Sequence, residues 1–62
     1  MPTLTTKELN AIEDQLAVEQ TMINKYRMYA QTATDTEIKE KCDCVATKHQ
    51  QHFDTLTMQL KG

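Results

Sequence analysis

Lys48-His49-Gln50-Gln51-His52-Phe53 is the stretch whose reading decides the fold. Its two histidines stand three residues apart, and residues three and four apart share one face of a helix, so both imidazoles are expected to project the same way. Steps of four and three in both directions extend this into a seam of Ile38, Cys42, Val45, His49, His52 and Leu56. Apolar residues flank the histidines, which predicts interior or interfacial positions for both.

A matching seam lies upstream: Leu9, Ile12, Leu16, Glu19, Ile23, Tyr26 and Ala30, with Glu19 its one charged member. If the two helices fold back as an antiparallel hairpin, paired positions sum to a nearly constant number set by the turn, near Ala30 against Ile38. That rule sets Glu19 opposite His49, Leu16 opposite His52 and Tyr26 opposite Cys42. The titratable members of both seams therefore gather near one level.

The first helix has a strong start. The Thr5 hydroxyl can cap a free backbone N–H while Glu8, three residues on, reaches back, and Leu4 can staple onto Leu9. No Gly or Pro interrupts the chain from Thr6 to Gln31, and the seam keeps its register, so one continuous helix of roughly 35–40 Å is expected. Lys7, Asp14, Gln15, Thr21 and Lys25 read as outward polar residues, whereas Ala11 and Met22 widen the apolar stripe. Gln31-Thr32-Ala33-Thr34-Asp35 is a cluster of cap formers without glycine; Thr34 or Asp35 should cap the second helix, with Glu37 near its positive end. The expected boundaries are a helix over about 5–31, a turn over about 32–35 and a helix over about 36–60, within a single domain spanning 1–62. Met1 to Leu4 read as a short lead-in. Ala46, Phe53 and Leu60 make a further row at steps of seven, which suggests contact with more than one helix.

Size argues for association. The chain has 62 residues, and a domain that small buries only about 60% of its unfolded surface. A lone hairpin covers one side of each apolar stripe, so an all-α hairpin is expected to pair as a homodimer into a four-helix bundle. The net charge is -2, from 7 basic and 9 acidic side chains, with no long run of either sign. Neither nucleic acid nor an anionic membrane is an expected partner. No apolar run approaches the roughly 20 residues that span a bilayer, and the N-terminal layout is unlike a signal peptide, so a soluble protein made in the cytoplasm is expected.

Cys42 and Cys44, the only cysteines, are two apart; on a helix they do not face each other, and no C-x-x-C pattern is present. Cys42 reads as a small buried hydrophobe, and Cys44 as an outward thiol able to cross-link chains in an oxidising setting.

Burying a carboxylate and two imidazoles in a small bundle costs several kcal/mol unless each finds a partner, on the order of the penalties for unpaired buried polar groups. A metal ion is one such partner, because imidazole and carboxylate suit zinc, iron, manganese or copper. Glu19, His49 and His52 are the candidate ligands, and a two-fold dimer would bring two such sets together. Tyr26 is too far for direct ligation but can line the same cavity. In the competing arrangement, Glu19 accepts a hydrogen bond from His49, His52 lies at the bundle edge and no metal is needed. Met22, Met28 and Met58 are explained by packing, and Lys39, Glu40 and Lys41 by solvation. No nucleophile and base pair points to hydrolysis, and no catalytic residue is assigned.

Leu4-Thr5-Thr6-Lys7-Glu8-Leu9, Ile12-Glu13-Asp14-Gln15-Leu16, Glu19-Gln20, Lys25-Tyr26-Arg27-Met28-Tyr29-Ala30 and Ala46-Thr47-Lys48-His49-Gln50-Gln51-His52-Phe53 together resemble the short spore-coat proteins of clostridia, related to the spore coat protein F family. The resemblance covers nearly the whole chain. It implies a ferritin-like four-helix bundle, a structural role on the spore coat and other coat proteins as partners. In ferritin-like bundles two helices each give a Glu and two each give Glu-x-x-His. Glu19 fits the single Glu and His52 fits the His, but His49 stands where the second Glu belongs. Replacing two of four carboxylates by imidazoles halves the negative charge and removes bridging oxygens. This weakens the case for a di-iron oxidase or peroxide-handling enzyme and favours zinc or another late divalent metal held structurally.

Overall fold

The computed structural model describes residues 4–61; the expected lead-in at Met1–Thr3, and Gly62, lie outside the described residues. Two helices, α1 (Thr6–Thr32) and α2 (Thr36–Lys61), fold back on one another, and no strand is present among the described residues. The hairpin measures 47 × 16 × 11 Å, close to the roughly 40 Å rise of a single helix of this length plus its ends.

Local chemistry sets both helix starts. Thr5 accepts from the Glu8 backbone N–H while the Glu8 carboxylate accepts from the Thr5 N–H, the expected reciprocal capping box. Of the two candidate caps for α2, Asp35 takes the role, its Oδ1 accepting from the Ile38 N–H at 3.0 Å. The connection is therefore only Ala33, Thr34 and Asp35. α1 is closed by the Ala33 N–H donating to the Tyr29 carbonyl at 2.9 Å. So short a link leaves antiparallel neighbours as the compact arrangement.

Packing departs from the expected seams in one systematic way. Buried side chains on α1 are Glu19, Ile23 and Ala30, all seam members, but on α2 the single buried residue is Ala46, from the flanking row. Phe53 and Leu60 of that row are half-buried, as are Cys42, Val45, His49 and Leu56 of the expected seam, so both rows share the contact. The row expected to meet a further helix thus belongs to the contact within the hairpin. Ile38, expected on the seam, is 53% exposed, and Leu9 at the far end of α1 is 36% exposed. The contact face of α2 is rotated by part of a turn toward Ala46. Ala30 and Ala46 are buried at 8% and 1% exposure, and a small side chain at such a position fits between two packed helices where a larger residue would hold them apart. Among the described residues, only Ile23, Ala30 and Ala46 form the buried apolar core.

Replacing Ala46 with Leu should overfill this buried position and cost about 1–3 kcal/mol, the range for extra methylenes in a packed site. Urea unfolding followed by circular dichroism would measure it, and an unchanged midpoint would show that the helices do not close on Ala46.

Candidate metal centre

Glu19 lies at the middle of α1 and His49 at the middle of α2, as the pairing of levels predicts. Glu19 is buried, with 7% of its side chain exposed, whereas the exposures of His49 and His52 are 23% and 62%. His49 Nδ1 is hydrogen-bonded to Glu19 Oε1. An ionised carboxylate can only accept, so Nδ1 carries the proton and the imidazole donates. His52 Nδ1 lies 3.5 Å from the same oxygen, beyond the range of a strong hydrogen bond. Of the two histidines expected to be interior or interfacial, His49 is half-buried at the contact with α1 and His52 is exposed at its edge.

Two further neighbours complete the site. Gln15, read from the sequence as an outward residue, donates from Nε2 to Glu19 Oε2 at 2.9 Å. Its spacing of four from Glu19 on the same helix carried that signal. Tyr26 lies nearly parallel to the His49 ring, 14° between planes and 6.4 Å between centroids, and His49 meets His52 edge-on at 5.6 Å. Tyr26 thus walls the site without ligating, and Tyr29 stands edge-on to it at 5.7 Å. Cys42 is half-buried and Cys44 exposed, both as free thiols.

The hydrogen bond from His49, then that from Gln15, holds the Glu19 carboxyl below the usual carboxylate range, against the opposing effect of burial. Stabilisation from this group is therefore present above the ordinary Glu pKa and lost as pH falls through the lower folded-state value.

Glu19, His49 and His52 each offer one donor atom, and the three atoms lie within 4.8 Å of one another. Donors of a tetrahedral ion at metal–donor distances of about 2.0–2.2 Å stand about 3.4 Å apart; His52 Nδ1 is already 3.5 Å from Glu19 Oε1, whereas the hydrogen-bonded His49–Glu19 pair must open to admit an ion. The donor set of one carboxylate and two imidazoles fits a divalent transition metal or zinc, and it leaves coordination positions free. Binding would displace the proton between His49 and Glu19, so affinity should fall at low pH. All buried side-chain polar atoms among the described residues have hydrogen-bond partners, and both Glu19 oxygens are engaged by protein donors. No protein-family model matches the chain, and neither a curated protein nor a solved structure matches it.

Acid titration of metal-free protein should leave stability nearly level from pH 7 to about 5, then reduce it below the ordinary Glu pKa of about 4.3. Glu19→Gln should flatten that acid limb. An equally steep limb in the variant would assign the acid loss to other carboxylates.

Proposed function

We propose that this chain is a structural, metal-binding protein of the spore-coat type, acting as a homodimeric ferritin-like four-helix bundle in which Glu19, His49 and His52 hold a divalent ion. The convergence of those three donors from two helices carries the metal reading. The thin core supports the dimer, since three buried apolar residues are few for a chain that must offset its own conformational entropy. The spore-coat role, deposition on the coat after synthesis in the cytoplasm, and other coat proteins as partners rest on the resemblance of the quoted stretches alone. No helix among the described residues is long and apolar enough to cross a membrane.

The chemistry a bound ion supplies here is a cross-link between α1 and α2 that exists only in the folded state. Glu19 contributes the charge, His49 and His52 the neutral nitrogen donors, and Gln15 orients the carboxylate through its second oxygen. Zinc suits this role and donor set; iron is the alternative ion. The hydrogen bonds from His49 and Gln15 to Glu19 favour a second reading, a metal-free interaction module, because they satisfy the carboxylate without an ion. The stacking of Tyr26 on His49 favours a third, a small metal-dependent oxidase or peroxide-handling protein, since a phenol beside a ligand can serve as a one-electron donor.

Elemental analysis of untagged protein purified without chelator separates these. The structural reading expects about one metal per chain or per dimer, and a metal 100-fold above its Kd should add about 2.7 kcal/mol of stability. His52→Ala is the sharper variant, because it removes an exposed ligand while leaving the His49–Glu19 hydrogen bond in place. It should lose most of its metal, and chelator should no longer lower its melting temperature. Unchanged occupancy would eliminate His52 as a ligand, and absence of metal even after challenge with zinc and iron would leave the interaction module. Oxygen consumption by iron-loaded protein above that of free iron would instead support the oxidase.

A further inference from the structure

The two broad faces of the hairpin are chemically unlike. At about 3.6 residues per turn, Val18, Met22 and Tyr29 of α1 fall on one side of its buried line Glu19–Ile23–Ala30, and Gln20 and Arg27 on the other. On α2, Ile38, Val45 and His52 fall on one side of Ala46–Phe53, and Asp43 and Gln50 on the other. Antiparallel helices wind in opposite senses when viewed from one end. The first-named rows therefore share one face of the hairpin, and the polar rows share the opposite face. Gln20 and Gln50 on the polar face are already engaged, with Asn24 and Asp54.

The apolar face is open. Val18 is 52% exposed, and a shallow hollow beside it is lined by Ala17, Val18, Thr21 and Met22. His52, the most exposed member of the ligand set, lies on this face. Lys25, Lys41 and Lys48 stand along its margins, the polar rim expected around an apolar centre.

Two observations make a second copy the occupant. A face of 47 × 16 Å offers roughly 800 Å² per partner, the size of a standard stable interface. The ligand set also lies at the midpoint of both helices. Glu19 has thirteen residues on each side within Thr6–Thr32, and His49 has thirteen before it and twelve after within Thr36–Lys61. Two hairpins laid face to face with full overlap therefore bring Glu19 and His49 of both copies to one level whichever way their turns point, and the two His52, sixteen residues into α2 with nine after, to one level when the turns point the same way. An unrelated partner would impose no such central placement.

We propose that a second copy of this chain docks on the face carrying Val18, Met22, Tyr29, Ile38, Val45 and His52, and that the ligand set is completed by the copy it meets there. The inference rests on the dimeric reading above and specifies its surface. Each His52 is covered in the pair, and the free coordination positions of one ligand set face the donors of the other.

The test uses the full chain with Cys42→Ala and Cys44→Ala as background, carrying either Val18→Cys or Gln20→Cys, with mass measured by sedimentation equilibrium on the same samples. In the dimer, the thiol at position 18 should react with a maleimide about tenfold more slowly than that at position 20, because the centre of an interface packs like a protein interior. A dimer in which both thiols react equally fast would place the interface elsewhere and overturn this inference while leaving the dimer intact. A monomer at all concentrations, with both thiols fast, would overturn the dimeric reading as well. Should Val18→Cys lose helicity, Tyr29→Cys against Arg27→Cys repeats the comparison on the same two faces.

Discussion

The hydrogen bond between His49 and Glu19 ties the hairpin together at its centre. A carboxylate this buried is tolerated only when its charge is met by donors, and here they come from both helices: His49 across the interface and Gln15 from one turn back on α1. This interaction has direction, which the apolar contacts lack. Sliding α2 by one turn along α1 would leave Ile23 or Leu16 at a similar level, but Glu19 would lose its cross-helix donor. The pair thus selects the register that the small core alone would hold weakly.

The rotation of α2 connects packing to chemistry. Ala30 and Ala46 let the helices approach, and that approach turns α2 so that Ala46, Phe53 and Leu60 meet α1 while Ile38 and His52 swing outward. A larger residue at position 46 would separate the backbones and reduce the incentive for the turn. The burial of Ala46 thus goes with the exposure of one candidate ligand. His49 is held by its hydrogen bond to Glu19 and His52 is exposed, a division that follows from their spacing of three. That step advances around a helix by less than a full turn, so two such residues can occupy the centre and the edge of the same contact.

Much of this was legible in the sequence. The capping box was readable from Thr5 and Glu8, and the meeting of Glu19 with His49 from pairing levels about the turn, because helix rise and turn length leave little freedom in register. The rotation of α2 was not. Ile38 and Val45 offered one apolar flank while Ala46, Phe53 and Leu60 offered another, and periodicity does not rank two flanks that are both apolar. Interhelical distance decides between them, and it depends on the side chains that meet at closest approach. Gln15 is exposed, as an outward polar residue, but its hydrogen bond to Glu19 was not legible, because a glutamine on a helix reads as solvated until its carboxylate neighbour four residues on is known to be buried.

The asymmetry between the two faces follows from the same rotation. Had α2 presented its expected seam squarely to α1, Ile38, Val45 and His52 would have been spent inside the hairpin, and Ala46, Phe53 and Leu60 would have been turned toward its opposite side. Turned as it is, α2 sets them beside Val18, Met22 and Tyr29, on the face opposite the one where Gln20 and Gln50 are already hydrogen-bonded. The buried Glu19 lies just beneath that apolar face, and His52 spans the distance between the carboxylate and the surface. In the dimer proposed above, a copy covering Val18 and Met22 would also cover His52, so association and ligand assembly would be one event, with the second copy bringing matching donors to the level where His52 emerges.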